Sequence, residues 1–88
     1  MKIYVIDSGF VYIGYGESFE DSELGKCVII RHAHNIRRWG TDKNLGQLAY
    51  EGKQKETILD FTGTITVPVS RIIHSIEVTE EAAKTYGF

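Results

Sequence analysis

Apolar positions repeat at a spacing of two along most of this chain and change to a spacing of three and four only in two short stretches. From Lys2 to Asp7, Ile3 and Val5 alternate with Tyr4 and Ile6, and both sets are apolar, as in a strand covered on both faces. Ser8-Gly9 is a turn signal and predicts a hairpin with a second strand over Phe10 to Tyr15. On that strand Val11, Ile13 and Tyr15 share one face, and Phe10, Tyr12, Gly14 and Gly16 share the other. Glycines in line with Tyr12 mark a bend or bulge in the sheet, or else a bare strip with room for a ligand ring or a partner backbone.

Glu17 to Gly25 is acidic and reads as a flexible connection. Lys26 to His32 is a third strand, and Ala33 to Trp39 bends away from it or continues it after a kink. Asn44 has the chemistry of a helix N-cap, with Gln47 placed to complete a capping box. Leu45, Leu48 and Ala49 then form a buried stripe, and Gly52 closes the helix. Thr57 to Phe61 and Thr64 to Val67 are rich in β-branched residues and read as two strands around a Thr62-Gly63 turn. Pro68 stops the ladder or lies at an edge. Arg71 to Val78 resumes the strand pattern, with Ile72, His74, Ile76 and Val78 on one face. Thr79 to Lys84 has a cap, early acids and good helix formers, which predicts a terminal helix. The sum is a mainly β, α+β domain over residues 1–88: a small curled sheet or barrel of about six strands with one or two short helices.

Composition refines this picture. With 42% hydrophobic and 25% charged residues the chain is globular, and at 88 residues it is short enough that self-association into a homo-oligomer is expected. The single Cys27 excludes an internal disulfide and sits in an apolar run, as a buried side chain in a reducing compartment. No apolar run reaches the roughly 20 residues that span a bilayer, and the first residues lack the pattern of a secretory signal, so a cytoplasmic location is expected. The net charge of −2 hides a local excess of cations, because Lys26, Arg31, Arg37, Arg38 and Lys43 face only Asp42 between positions 26 and 43. A basic pocket on an acidic body favours a compact anion over a nucleic-acid polymer.

The chemistry concentrates in the same stretch. Arg37, Arg38 and the only tryptophan, Trp39, run into Gly40-Thr41, and Asn44, Gly46 and Gln47 follow at the start of the predicted helix. Fixed positive charge, a flat aromatic surface and free backbone N–H groups suit a flat, negatively charged ligand, of which a nucleotide is the commonest example. Trp39 could stack on a base or pack inward to hold the turn. Alternation points Arg37 and Arg38 in opposite directions, so one of them faces the pocket, and the sequence leaves open which. Tyr12 is a second stacking candidate. Asp60 interrupts an apolar run and could accept a hydrogen bond from either arginine or from a backbone N–H. His32 and His34 share a strand face but lack a third ligand nearby, and His74 reads as a core histidine, so neither a metal site nor a cofactor is expected. No arrangement of nucleophile, base and orienting acid appears, and no enzymatic activity is expected.

The pattern Ile-Arg-x-Trp-Gly-Thr, Leu-Gly-x-Leu-Ala, a glycine turn and Thr-x-Leu-Asp resembles a family of small phage and prophage-encoded bacterial proteins. Its matches are Ile36, Arg37, Trp39, Gly40, Thr41, Leu45, Gly46, Leu48, Ala49, Gly52, Thr57, Leu59 and Asp60, with Gly63 and Val67-Pro68 downstream. Asn44 stands where the pattern has glycine, and Lys53-Gln54 replace a Pro-Thr pair. The resemblance transfers no activity. It supplies a context in which proteins of this size sequester nucleotide signals of bacterial immunity, as Thoeris and CBASS antagonists and sequestin- and lockin-type sponges do. The expectation is a non-enzymatic binder of a nucleotide-derived signal, such as a cyclic nucleotide or a cyclic ADP-ribose. Two alternatives stand beside it: a protein-interaction module for a host or phage protein, and a single-stranded nucleic-acid binder, which the negative net charge disfavours.

Overall fold

The expected alternation carries directly into a ladder. In the computed structural model, which describes residues 1–88, strand β1 (Lys2–Ile6) pairs antiparallel with β2 (Val11–Asp21) in the register Ile3↔Ile13 and Val5↔Val11. Strand β3 (Gly25–Arg38) pairs with β2 on one side and with β4 (Ile58–Pro68) on the other, and β5 (Ile72–Glu77) closes the far side of β1. The order is β4-β3-β2-β1-β5, a single sheet with β4 and β5 as its edges. Two helices, α1 (Gly46–Tyr50) and α2 (Glu80–Lys84), complete the chain. The mainly β fold is therefore as expected, in its curled-sheet rather than its closed-barrel form.

The curl follows from chain length. Pro68 ends one edge strand and Ile72 begins the other, and only a single 3-10 turn, Val69–Arg71, joins them. Four residue steps reach about 14 Å at most. Five strands laid flat would separate the edges by about 19 Å. The sheet must bend until its edges approach, and Val67 of β4 accordingly packs in one cluster with Tyr4 and Ile6 of β1, with Ile72 of β5 against it.

Two apolar clusters result, one on each face. Ile3, Val11, Ile13 and Ile36 meet Leu45, Leu48 and Ala49 of the α1 segment and Tyr86. On the concave face Tyr4, Ile6, Val28, Ile30, Ala33 and Val67 pack against one another. The stripe expected at Leu45, Leu48 and Ala49 is thus buried, and Cys27 is fully buried. Thr79 caps α2 by accepting the Ala82 N–H at 3.1 Å. The Thr79 N–H reaches the Ala49 carbonyl at 2.9 Å, and the Tyr86 hydroxyl donates to the Leu48 carbonyl at 2.6 Å, which locks the two short helices together.

Several local expectations are corrected. The acidic Glu17–Gly25 segment is not a flexible connection: β2 runs to Asp21 and pairs residue by residue with Gly25–Ile29. Glu17, Glu20 and Glu23 sit on exposed positions, and the half-buried Asp21 closes the turn by accepting the N–H groups of Glu23 and Leu24 on its carboxylate. The Thr62-Gly63 turn is instead a bulge within one strand, with Gly63 at φ +98° opposite Ala33, so five strands form rather than about six. β3, by contrast, follows one of its two expected courses, continuing after a kink at His32, whose φ is +53°, up to Arg38. Finally, a bulge after Val5 shifts the β1–β5 register, so Ile72 turns to the concave face while Ile76 and Val78 pack on the helical one. His74 is exposed rather than a core histidine.

Candidate functional site

The largest depression is an open groove of about 460 Å³ on the helix-covered face. Val5 and Val11 from the first hairpin and Ile76 from β5 line it together with Leu45. Trp39 and Tyr50 stand over it with 42% and 71% of their surface exposed, and Asn44, Gly46 and His74 contribute its polar atoms. Trp39 leaves the end of β3 with its backbone fixed, because its carbonyl accepts the Thr57 hydroxyl at 2.7 Å. Gly40 follows at φ +66°, and a Cβ there would run into the Glu56–Thr57 backbone. The tryptophan backbone is thereby clamped while its ring stays at the surface. Trp39 is a groove wall, not a core anchor.

The loop after it is organised from within. Gln47, only 6% exposed, accepts the N–H groups of Asp42 and Lys43 on Oε1, each at 3.1 Å, and donates through Nε2 to Glu51 at 3.2 Å. Lys43 Nζ meets the other Glu51 oxygen at 2.8 Å. Hydrogen bonds from Lys43 and Gln47 hold the Glu51 carboxyl below its ordinary pKa, and the Glu51 hydrogen bond raises that of Lys43. Two of the N–H groups expected to greet a ligand are therefore already bonded to Gln47, which is a brace and not a ligand contact. The capping box is displaced as well: the helix begins at Gly46, Leu45 is its N-cap without a side-chain bond, and Asn44 contributes only its carbonyl to the Gln47 N–H. Gly46 does open onto the groove. A Cβ there would lie 3.0 Å from the Asn44 side-chain oxygen.

The remaining candidates separate. Arg37 is committed to Asp60 through Nε–Oδ2 at 2.7 Å and a longer second contact at 3.4 Å, as one of the readings of Asp60 expected. Leu59 packs on the helical side, so its neighbour Asp60, and Arg37 with it, lie on the opposite side of the sheet. Arg38 is exposed, forms no ion pair and lines no pocket, so neither arginine enters the groove. Tyr12 packs on the concave face beside Phe10 at 6.3 Å between ring centres, with the sheet between it and Trp39. Gly40 is closed off by the 56–57 backbone, and Thr41 lines no pocket. Gly14 and Gly16 are not a bare strip: Ile30 and the Arg31 carbonyl cover Gly14, and the Tyr4 ring end covers Gly16. His34 stacks on Phe88 at 3.9 Å and His32 meets Tyr15 edge-on, so the two histidines do not converge.

Of the nine residues singled out from the sequence, Trp39, Asn44 and Gly46 come together. Local reading missed Tyr50, His74 and the apolar Val5, Val11 and Ile76. Tyr50 lies at the end of α1, one helical turn from Gly46, while the others come from strands far apart in sequence, for which no local signal exists.

Comparison with known proteins returns no match among protein-family models, curated proteins or solved structures. No helix is long and apolar enough to cross a membrane.

Proposed function

We propose that this chain is a non-enzymatic binding protein whose groove takes the flat ring of a nucleotide-derived ligand, and that it sequesters such a signal in the cytoplasm of a phage-infected bacterium. One observation carries the reading: two exposed aromatic rings, Trp39 and Tyr50, border one groove of about 460 Å³ with an apolar floor. Ligand sites of this size are typically apolar with a few polar groups that set orientation. Asn44 and His74 are those groups here. Arg38, adjacent to Trp39 and without an ion-pair partner, is the cation nearest in sequence to meet a phosphate outside the groove. Arg37, bound to Asp60, is not part of the proposed contact. A homo-oligomer belongs to the same proposal, since Phe61 and Ile73 leave 72% and 62% of their surface exposed.

The test is calorimetric titration with cyclic dinucleotides, cyclic trinucleotides, cyclic ADP-ribose isomers and linear ADP-ribose, with chromatography of the recovered ligand. Saturable binding with intact release, weakened in Trp39→Ala, supports sequestration. A new product would make the protein an enzyme.

A second reading rests on the absence of any lysine or arginine among the groove's lining residues. An apolar, aromatic groove also suits a side chain of a host or phage protein. Silence across the nucleotide panel, with one defined protein recovered by co-purification, would favour it.

A further inference from the structure

The concave face carries a second depression of about 370 Å³, on the side of the sheet opposite Trp39. Its polar side chains come from four strands: Lys2 and Tyr4 on β1, Ser18 on β2, Lys26 on β3, and His74 and Ser75 on β5. Val28 and Ile72 supply apolar lining between them.

Tyr4 is the informative residue. It is 95% buried, since only 5% of its surface remains exposed, yet its hydroxyl has no hydrogen-bond partner in the protein. No side-chain polar atom is both fully buried and unpaired, so this hydroxyl keeps its exposure within the depression that Tyr4 lines. Gly16 makes that possible. A Cβ at position 16 would collide with the Tyr4 hydroxyl, lie 2.7 Å from Cζ and reach Val28 Cγ1 at 3.0 Å. A strand position in a well-packed sheet has thus given up its side chain, and the space holds the polar end of a buried tyrosine. A hydroxyl without a protein partner at the wall of the depression is free to bond whatever enters it.

The surroundings specify the charge of that partner. No carboxylate lines the pocket. Lys26 forms no ion pair, although Glu20 stands opposite it in the hairpin register. Lys2 meets Glu77 at 3.3 Å, but both side chains are substantially exposed, at 43% and 79%, and such a pair exchanges readily for a stronger acceptor. Burial raises the Tyr4 pKa, so the hydroxyl stays protonated and able to donate. Two ammonium groups and three hydroxyls converging on one cavity match an oxyanion with several acceptor atoms.

We propose that the concave pocket around the Tyr4 hydroxyl, with Lys2, Lys26, Ser18 and Ser75, binds the phosphate group of a small phosphomonoester. The ammonium groups of Lys2 and Lys26 neutralise the phosphate, and the hydroxyls donate to its oxygens. Val28, Val69 and Ile72 contact the organic remainder. The site does not rest on the reading of the groove: the two depressions open on opposite faces and share only His74, on the edge strand β5.

The probe is ribose 5-phosphate, followed by amide NMR titration of the full chain, with ribose as the unphosphorylated control. Saturable shifts centred on Tyr4, Ser18, Lys26 and Ser75 with the phosphate ester, and none with ribose, are expected. Lys26→Ala and Tyr4→Phe should each weaken binding by about tenfold. Tyr4→Phe should leave the melting temperature unchanged, because the hydroxyl has no partner to lose in the free protein. Trp39→Ala should not alter these shifts, which keeps the outcome separate from that of the groove. Absence of saturable shifts at millimolar probe, equal shifts with ribose, or undiminished affinity in both pocket variants would overturn the proposal.

Discussion

The two faces of the sheet hold cavities of similar size and opposite chemistry. The helix-covered face has an aromatic groove with no lysine or arginine in its lining, while the concave face has a pocket with two lysines and three hydroxyls. The difference does not follow the charge pattern of the chain. The densest cations, Arg37 and Arg38, contribute to neither cavity: one is bound to Asp60 across β3 and β4, and the other stands alone at the surface. The cationic pocket is assembled from Lys2 and Lys26, which are 24 positions apart in sequence and share a face only because β1, β2 and β3 are neighbours. Local clusters of charge predict a pocket poorly when a cross-strand partner is available to one of them.

The helical side is the more sensitive to substitution. Leu48 is fully buried between α1 and the sheet. Leu48→Ala should cost about 2–5 kcal/mol in chemical denaturation and loosen the groove wall. Gly40→Ala should follow at about 2 kcal/mol, because a Cβ meets the 56–57 backbone and φ is positive. It should also displace Trp39 and change the tryptophan fluorescence. If that variant keeps wild-type stability, the clamp on Trp39 is not rigid.

At the level of ligands, Trp39→Ala should weaken binding of a ring-bearing nucleotide ligand in the calorimetric panel by about 1–3 kcal/mol without unfolding the protein. Arg37→Ala should sharpen the contrast by its small effect. Its pair with Asp60 is exposed, so less than about 1 kcal/mol of stability is expected to be lost. Groove binding should not change, and a large loss of affinity would return Arg37 to the site.

A pH effect distinguishes the helical side further. Burial pushes the Tyr86 pKa up to about 12 from an ordinary value of 10.0. Below pH 10 both folded and unfolded chains hold this proton, and the contribution to stability is complete. Between pH 10 and 12 the unfolded chain releases it first, so stability falls as pH rises through that window. Tyr86→Phe should remove this part of the alkaline loss, as read from denaturation midpoints across the window.

Much of the architecture was legible in the sequence because it depends on near neighbours. Alternation from Ile3 to Ile6, the Ser8-Gly9 turn, the Leu45–Leu48–Ala49 stripe and the Thr79 cap all reappear where the local pattern put them. So do the buried Cys27 and the edge position of Pro68. What misled were residues whose local meaning is ambiguous. Gly63 signals a turn or a bulge with equal force, and the continuing partner strand β3 made it a bulge. The acids of Glu17–Asp21 resemble a loop until the apolar run Cys27–Ile30 is laid beside them as a paired strand.

The candidate sites divide in the same way. A short stretch of chain marked Trp39 and the turn after it as the candidate, and left open whether the ring would face out or pack inward. Which arginine would be free, that Gln47 would brace the loop, and that Tyr12 would lie across the sheet from Trp39 were decided by strand order and register. Side-chain periodicity and backbone preference set most of the strands, both helices and the amphipathic stripe. Which polar groups found partners depended on contacts between strands distant in sequence. A three-residue link between the two sheet edges forced the curl, and the curl brought Tyr4, Lys2 and Lys26 to one cavity while Arg37 met Asp60.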